Sequence, residues 1–174
     1  MQNRTLRQLT AAGVIAAAYA ALSLVLAAIT FGPVQCRISE ALTLLPVISP
    51  AAIWGVTLGC AVTNGVGAAT GTNFLGLVDL PVGTAATLLA AVATRLLGKI
   101  RFGGLPWLSA LPPILFNAVA IGGEWCYAMT GSINGAFWVF AGQIALGQLP
   151  PCLLGVWLVG LLERRSLQTI IEGK

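Results

Sequence analysis

Apolar residues run through this chain in long stretches, and charged residues interrupt them at only a few points. Leu9 to Thr30 carries no charge and is long enough to cross a bilayer, since ~30 Å of hydrocarbon takes about 20 helical residues. Charges then mark the chain at Arg37 and Glu40, at Asp79, at Arg95, Lys99 and Arg101, and at Glu124. A charged tail follows with Glu163, Arg164, Arg165, Glu172 and Lys174. The excess of Lys and Arg on cytoplasmic loops places Arg4, Arg7, the cluster from Arg95 to Arg101 and the tail inside, and leaves Arg37 outside. An odd number of crossings must therefore separate Arg37 from Lys99. Ala41 to Leu97 is too long for one helix, and three crossings fit if they are short: Ala41–Gly55, Val56–Ala69 and Pro81–Leu97. Pro46, Pro50, Gly55, Gly59, Gly65 and Gly67 would turn or break the chain there, which lipid tolerates only where protein or a watery cavity covers the backbone. Two further spans, Trp107–Ala128 and Ala136–Leu162, return the chain to the cytoplasm. The expected fold is an all-α integral membrane protein in one transmembrane domain, residues 1–174. It has six transmembrane helices, short or broken second and third spans, and both termini cytoplasmic.

Composition agrees. Of the 174 residues, 57% are apolar and only 8% charged, against about a quarter charged in soluble domains. That excludes a soluble enzyme and a disordered chain. The net charge of +4 is too small for a nucleic-acid footprint. There is no histidine, so the commonest metal ligand and general acid/base is missing. Cys36, Cys60, Cys126 and Cys152 show no CxxC spacing and read as small core residues. No Walker A sequence, nucleophile elbow or metal-ligand cluster appears, so no catalytic residue, metal or cofactor is expected. The N-terminal apolar stretch is longer than a signal peptide's and is expected to be retained as the first span.

Ionisable residues at membrane depth are costly and mark function by default. Glu40, Asp79 and Glu124 all fall near the external ends of their spans, with Asn64 and Asn117 toward the same side. Arg37 and Glu40 could form a local ion pair at a helix start, and Asp79 ahead of Pro81 could cap one. Glu124 has no sequence-local basic partner, although it could lie exposed among the headgroups. Asn117 sits two helical turns before it on the same face, about 10 Å away. Trp107 and Trp157 read as interfacial belt residues, whereas Trp125 and Trp138 flank Glu124 and could wall a site. In the first span Ala12, Ala16 and Ala20 repeat at four-residue spacing, as do Gly13, Ala17 and Ala21. Such small-residue faces allow close helix approach in lipid, either inside the bundle or against another membrane subunit.

The run Arg37-Ile38-Ser39-Glu40-Ala41-Leu42-Thr43-Leu44-Leu45-Pro46 resembles the signature of QueT-type transporters. Gly59-Cys60 with Asn64, Leu77-Val78-Asp79 with Gly83-Thr84, and Asn117 with Glu124 continue the resemblance in order along most of the chain. It implies a substrate-binding (S) component of an energy-coupling factor importer, taking up a queuosine precursor at an external pocket. It also implies a membrane T component docked on an Ala-x-x-x-Ala face of the first helix (Ala12, Ala16 and Ala20), and two cytosolic ATPase subunits. A 7-deazaguanine suits the residues. Its adjacent N–H and NH₂ groups match the two oxygens of a carboxylate, and its carbonyl needs a donor. Its ring needs an apolar wall, and an aminomethyl substituent would need a second carboxylate. Glu40, Asp79 and Glu124 would accept, Arg37, Asn64 and Asn117 would donate, and Trp125 or Trp138 would form the wall. An S component for another small nutrient, or an assembly protein without a ligand, are the rival readings; a membrane enzyme is a third.

Overall fold

The computed structural model describes residues 2–32 and 34–164; the tail residues Arg165, Glu172 and Lys174 lie outside them. Six helices form: α1 (Gln2–Val25), the single turn α2 (Ala27–Thr30), α3 (Ala51–Ala69), α4 (Asp79–Leu97), α5 (Leu111–Thr130) and α6 (Phe137–Arg164). A ten-residue 3₁₀ segment, Ile38–Val47, runs between α2 and α3, and 3₁₀ turns at Gly76–Val78 and Trp107–Ala110 lead into α4 and α5. No strand forms among the described residues; an isolated bridge joins Phe102 to Leu105.

Four helical stretches are long and apolar enough to cross a membrane: Asn3–Val25, Ala51–Ala69, Gly76–Leu97 and Phe137–Arg164. The 20-residue α5 is as long, but it carries Asn117 and Glu124 and opens with Pro112 and Pro113. The 3₁₀ segment is shorter in reach, about 20 Å at ~2.0 Å per residue.

The expected division at Gly55 and Val56 does not occur. The turn falls at residues 46–50, where Pro46 and Pro50 remove backbone donors, and α3 is unbroken for 19 residues. Its glycines serve contact instead of breakage. A Cβ on Gly55 would lie 2.9 Å from the Ala12 carbonyl oxygen, and one on Gly59 would lie 3.0 Å from that of Ala16 and 2.7 Å from Tyr19 Cβ. The backbones of α1 and α3 thus touch at a spacing only glycine allows. The same contact revises the expected docking face. Ala12 and Ala20 are buried in the bundle, and the carbonyl sides of Ala12 and Ala16 lie against α3. Gly13, Ala17 and Ala21 face outward.

The apolar core occupies the half of the bundle nearer the Arg95–Arg101 end. Ile15, Tyr19, Leu44, Ile48, Val56, Ala91, Ile114, Val156 and Val159 form one buried cluster there. At that end Arg101 makes a two-pronged pair with Glu163, at 2.7 and 2.8 Å, and Arg95 donates to the Pro46 carbonyl at 2.9 Å. The opposite half holds a smaller apolar cluster of Ile121, Trp125 and Ile144. Asn64, Asn73, Asp79 and Asn117 are buried away from the apolar core.

Gly59→Ala is expected to push α1 off α3, straining the Tyr19 side chain between them. Overpacking of this kind costs about 1–3 kcal/mol, read as a lowered thermal midpoint in detergent. An unchanged midpoint would show that the two helices separate freely.

Candidate functional site

The polar half is organised by side chains that reach across elements. Arg37, on the extended stretch before the 3₁₀ segment, donates from Nη2 to Asn64 Oδ1 on α3 at 3.2 Å and from Nη1 to Cys60 Sγ at 3.7 Å. Its guanidinium also lies 5.6 Å from the centre of the Phe31 ring, within cation–π range. Asn64 passes the connection on, donating to the Asp79 carbonyl at the start of α4 at 2.9 Å. Asn73, in the turn between α3 and α4, donates to Asp79 Oδ2 at 2.8 Å and accepts from the Leu75 backbone N–H at 3.1 Å. Gly83, one turn into α4, leaves the room these groups need, because a Cβ there would run into Asp79 Oδ1 and Asn64 Nδ2.

Glu40 is held separately. Tyr19 on α1 donates to its Oε1 at 2.6 Å, and Asn117 and Thr43 lie beside it. Arg37 and Glu40 therefore do not form the local ion pair that their spacing allows: no such contact within 4 Å occurs among the described residues. Asp79 is not a helix cap either. It is the first residue of α4, and no side-chain capping bond is made there.

Glu124 on α5 approaches the Asp79 carboxyl group. Asp79 Oδ1 and both Glu124 oxygens are shielded from solvent and receive no hydrogen bond from the chain. Carboxyl groups this close resist being ionised together, and no cation or N–H donor of the chain reaches these three oxygens. Arg37 Nε, Glu40 Oε2 and Trp125 Nε1 are likewise buried without partners. Beside the carboxylates Trp125 stands in an aromatic stack, 5.1 Å from Phe74 and 6.4 Å from Phe140 between ring centres, with interplanar angles of 16° and 22°. A cleft of about 390 Å³ opens next to Glu124, lined by Phe74, Leu75, Val78, Gly123 and Tyr127.

Buried polar groups in folded proteins are almost always paired, and a cluster of unpaired acceptors against an aromatic wall is the complement of a flat ligand rich in donors. A sequence model of the family described as QueT transporter matches residues 9–164. The chain belongs to the QueT transporter family. Membership makes it a membrane transport protein and not an enzyme. No curated protein and no solved structure gives a significant match.

Of the expected site residues, Arg37, Glu40, Asn64, Asp79, Asn117, Glu124 and Trp125 converge on this half of the bundle. Trp138 does not. It is 76% exposed, packed edge-on against Phe137, because it lies about a quarter turn from the inward stripe of Ala141, Ile144 and Gln148 on α6. Sequence reasoning missed Tyr19, Gln35, Asn73, Phe74, Phe140 and Gln148, and read Cys60 as a core residue and part of the family motif without giving it the contact with Arg37. Gln148 carried a usable signal, an amide in the middle of a long apolar helix. Asn73 and Phe74 carried none, since loop residues acquire a role only through what they face.

Asn73→Ala leaves Asp79 Oδ2 buried without a donor and releases the turn that carries Phe74. The expected loss is about 1–3 kcal/mol of stability, measured by thermal unfolding of the solitary protein. A variant that melts with the parent would show that the turn is not anchored through Asp79.

Proposed function

We propose that this chain is the substrate-binding S component of an energy-coupling factor importer and that it captures a queuosine precursor of the 7-deazaguanine type. The observation that carries the reading is the set of unpaired acceptors on Asp79 and Glu124 beside the stacked Trp125. A 7-deazaguanine offers a flat ring for the aromatic wall and several N–H donors for the carboxylates. An aminomethyl substituent adds a cation that two neighbouring carboxylates neutralise. Each charge-assisted hydrogen bond of this kind is worth about 1.5–3 kcal/mol.

In this reading the chain makes six crossings with both termini cytoplasmic, as the placement of its Lys and Arg requires under the positive-inside rule. The site then lies toward the external side, where substrate arrives. Energy comes from elsewhere, from a membrane T component and two cytosolic ATPases, since the chain carries no nucleotide-binding loop of its own. The T component docks on the outward face of α1 formed by Gly13, Ala17 and Ala21, because Ala12, Ala16 and Ala20 are turned to α3.

Two measurements test this. Calorimetry on the purified solitary protein should detect 7-aminomethyl-7-deazaguanine and not thiamin, biotin or riboflavin. Glu124→Gln keeps the size of the side chain, removes its charge and turns one acceptor into a donor. Affinity should fall by about 2–4 kcal/mol, roughly 30- to 1000-fold; binding within a factor of two of the parent would remove Glu124 from the site. For the assembly, Ala17→Leu should weaken co-purification with the T component while leaving ligand affinity of the isolated subunit unchanged, through steric intrusion at a close helix crossing. Intact assembly with Ala17→Leu would place the docking surface elsewhere.

A further inference from the structure

Gln35 and Gln148 are each only 2% exposed, and they meet from opposite sides of the sequence. Gln35 lies in the connection after α2 with φ of +45°, a left-handed conformation that non-glycine residues seldom adopt. It is held there by contact with α6. A Cβ on Gly147 would fall 2.9 Å from the Val34 carbonyl carbon and 3.2 Å from that of Gln35, so glycine at 147 is what admits this stretch of backbone. Gln148 Nε2 donates to the Gln35 carbonyl at 3.4 Å. Its orientation is therefore set, because a flipped amide would put oxygen against oxygen.

This arrangement leaves two groups over. Gln35 Nε2, a donor, and Gln148 Oε1, an acceptor, are both sealed from solvent and have no partner. In a bundle surrounded by lipid no water compensates from outside, so each such group costs free energy until something pairs with it. The strained Gln35 backbone adds to that cost, as is common where a chain is shaped for a ligand. The pair also belongs to the same half as the carboxylates. Gln148 follows Ile144 by one turn on the inward stripe of α6, and Ile144 packs in the cluster of Trp125 and Ile121. The antiparallel contact of Gly122 with Ala141 sets Gln148 level with the Asn117 region of α5.

An unpaired donor on Gln35 and an unpaired acceptor on Gln148, two residues in contact, together complement a lactam edge, a ring N–H next to a ring carbonyl. We infer that Gln35 and Gln148 read that edge of the ligand, the ring N–H donating to Gln148 Oε1 and the ring carbonyl accepting from Gln35 Nε2. The inference rests on the deazaguanine reading above and refines it: the ring N–H passes to Gln148, and the aminomethyl cation is left to the neighbouring carboxylates of Asp79 and Glu124. The pair then selects guanine-type over adenine-type rings, since an adenine edge carries its donor and acceptor in reverse order and would set donor against donor and acceptor against acceptor.

The test is a discrimination ratio. Binding of 7-aminomethyl-7-deazaguanine and of 7-aminomethyl-7-deazaadenine is measured on the solitary parent protein, on Gln35→Met and on Gln148→Met, with the adenine analogue read by competition. Methionine keeps length and flexibility and removes the polar atoms. The parent should prefer the guanine-type probe at least about tenfold, and each variant should bring that preference to within about threefold, by the loss of a neutral hydrogen bond. Gln35→Met spares the Gln148 bond to the Gln35 carbonyl, so it remains informative if Gln148→Met folds poorly. A parent that binds the guanine-type probe, with variants that keep its preference or lose both probes equally, overturns the edge-reading role and leaves the deazaguanine reading intact. A parent that binds neither probe overturns the deazaguanine reading and this inference with it.

Discussion

The Asn64 side chain fastens the polar half of the molecule. It is wholly buried, and its two ends join three elements: the oxygen accepts from Arg37 and the nitrogen donates to the Asp79 backbone. A guanidinium at this depth persists only where its charge and most of its donors are answered; in Arg37 only Nε is left open. Asn64, Cys60 and the Phe31 ring supply the contacts, while Asp79 and Glu40 supply the opposing field. Once Arg37 is placed, the connection around it is placed as well, and with it the start of the 3₁₀ segment that delivers Glu40 to Tyr19. Asp79 in turn positions the Asn73 turn and faces Glu124. Removing one partner from such a buried network leaves the others uncompensated, which is why its members stand or fall together.

The two halves of the bundle obey different physics. Toward the Arg95–Arg101 end, apolar side chains fill the interior and glycines in α3 and α6 let backbones meet; a Cβ on Gly155 would sit 2.5 Å from the Ala41 carbonyl oxygen. Association there depends on dense contact, since lipid offers no hydrophobic drive between helices. The other half is under-satisfied, with carboxylate, amide, guanidinium and indole atoms that no chain group pairs. A ligand that supplies the missing partners binds the folded state alone and raises its stability accordingly. The rigid half holds the frame to which the incomplete half is attached.

Much of this was legible in the sequence. Charges and prolines bracket α4, α5 and α6 closely, and each begins or ends within two residues of the stretch that its hydropathy marked out, apart from the 3₁₀ turn at Trp107–Ala110 that precedes α5. The polar residues interrupting apolar stretches, Arg37, Glu40, Asn64, Asp79, Asn117 and Glu124, were visible for the same reason: exposing any of them to hydrocarbon is costly whatever the fold. The glycines of α3 were misread. Glycine weakens an isolated helix, and only the approach of α1 reveals that Gly55 and Gly59 are contact surfaces. The alanine stripes of α1 were undecidable alone, because a helix so rich in small residues has several equivalent faces.

What the sequence alone determined, then, is that this chain belongs in a bilayer, where α4, α5 and α6 lie, and which polar residues need partners. Those are local consequences of transfer free energy, summed residue by residue along the chain. What only the tertiary structure decided is which partner each residue has: Tyr19 with Glu40, Asn73 with Asp79, Gln35 with Gln148, and Trp125 turned inward while Trp138 is turned out. Pairing depends on the rotational phase and register of helices against one another. Those are set by contacts such as Gly59 on Tyr19 and Gly147 on the Val34–Gln35 backbone, between residues far apart in sequence, and no local pattern encodes them.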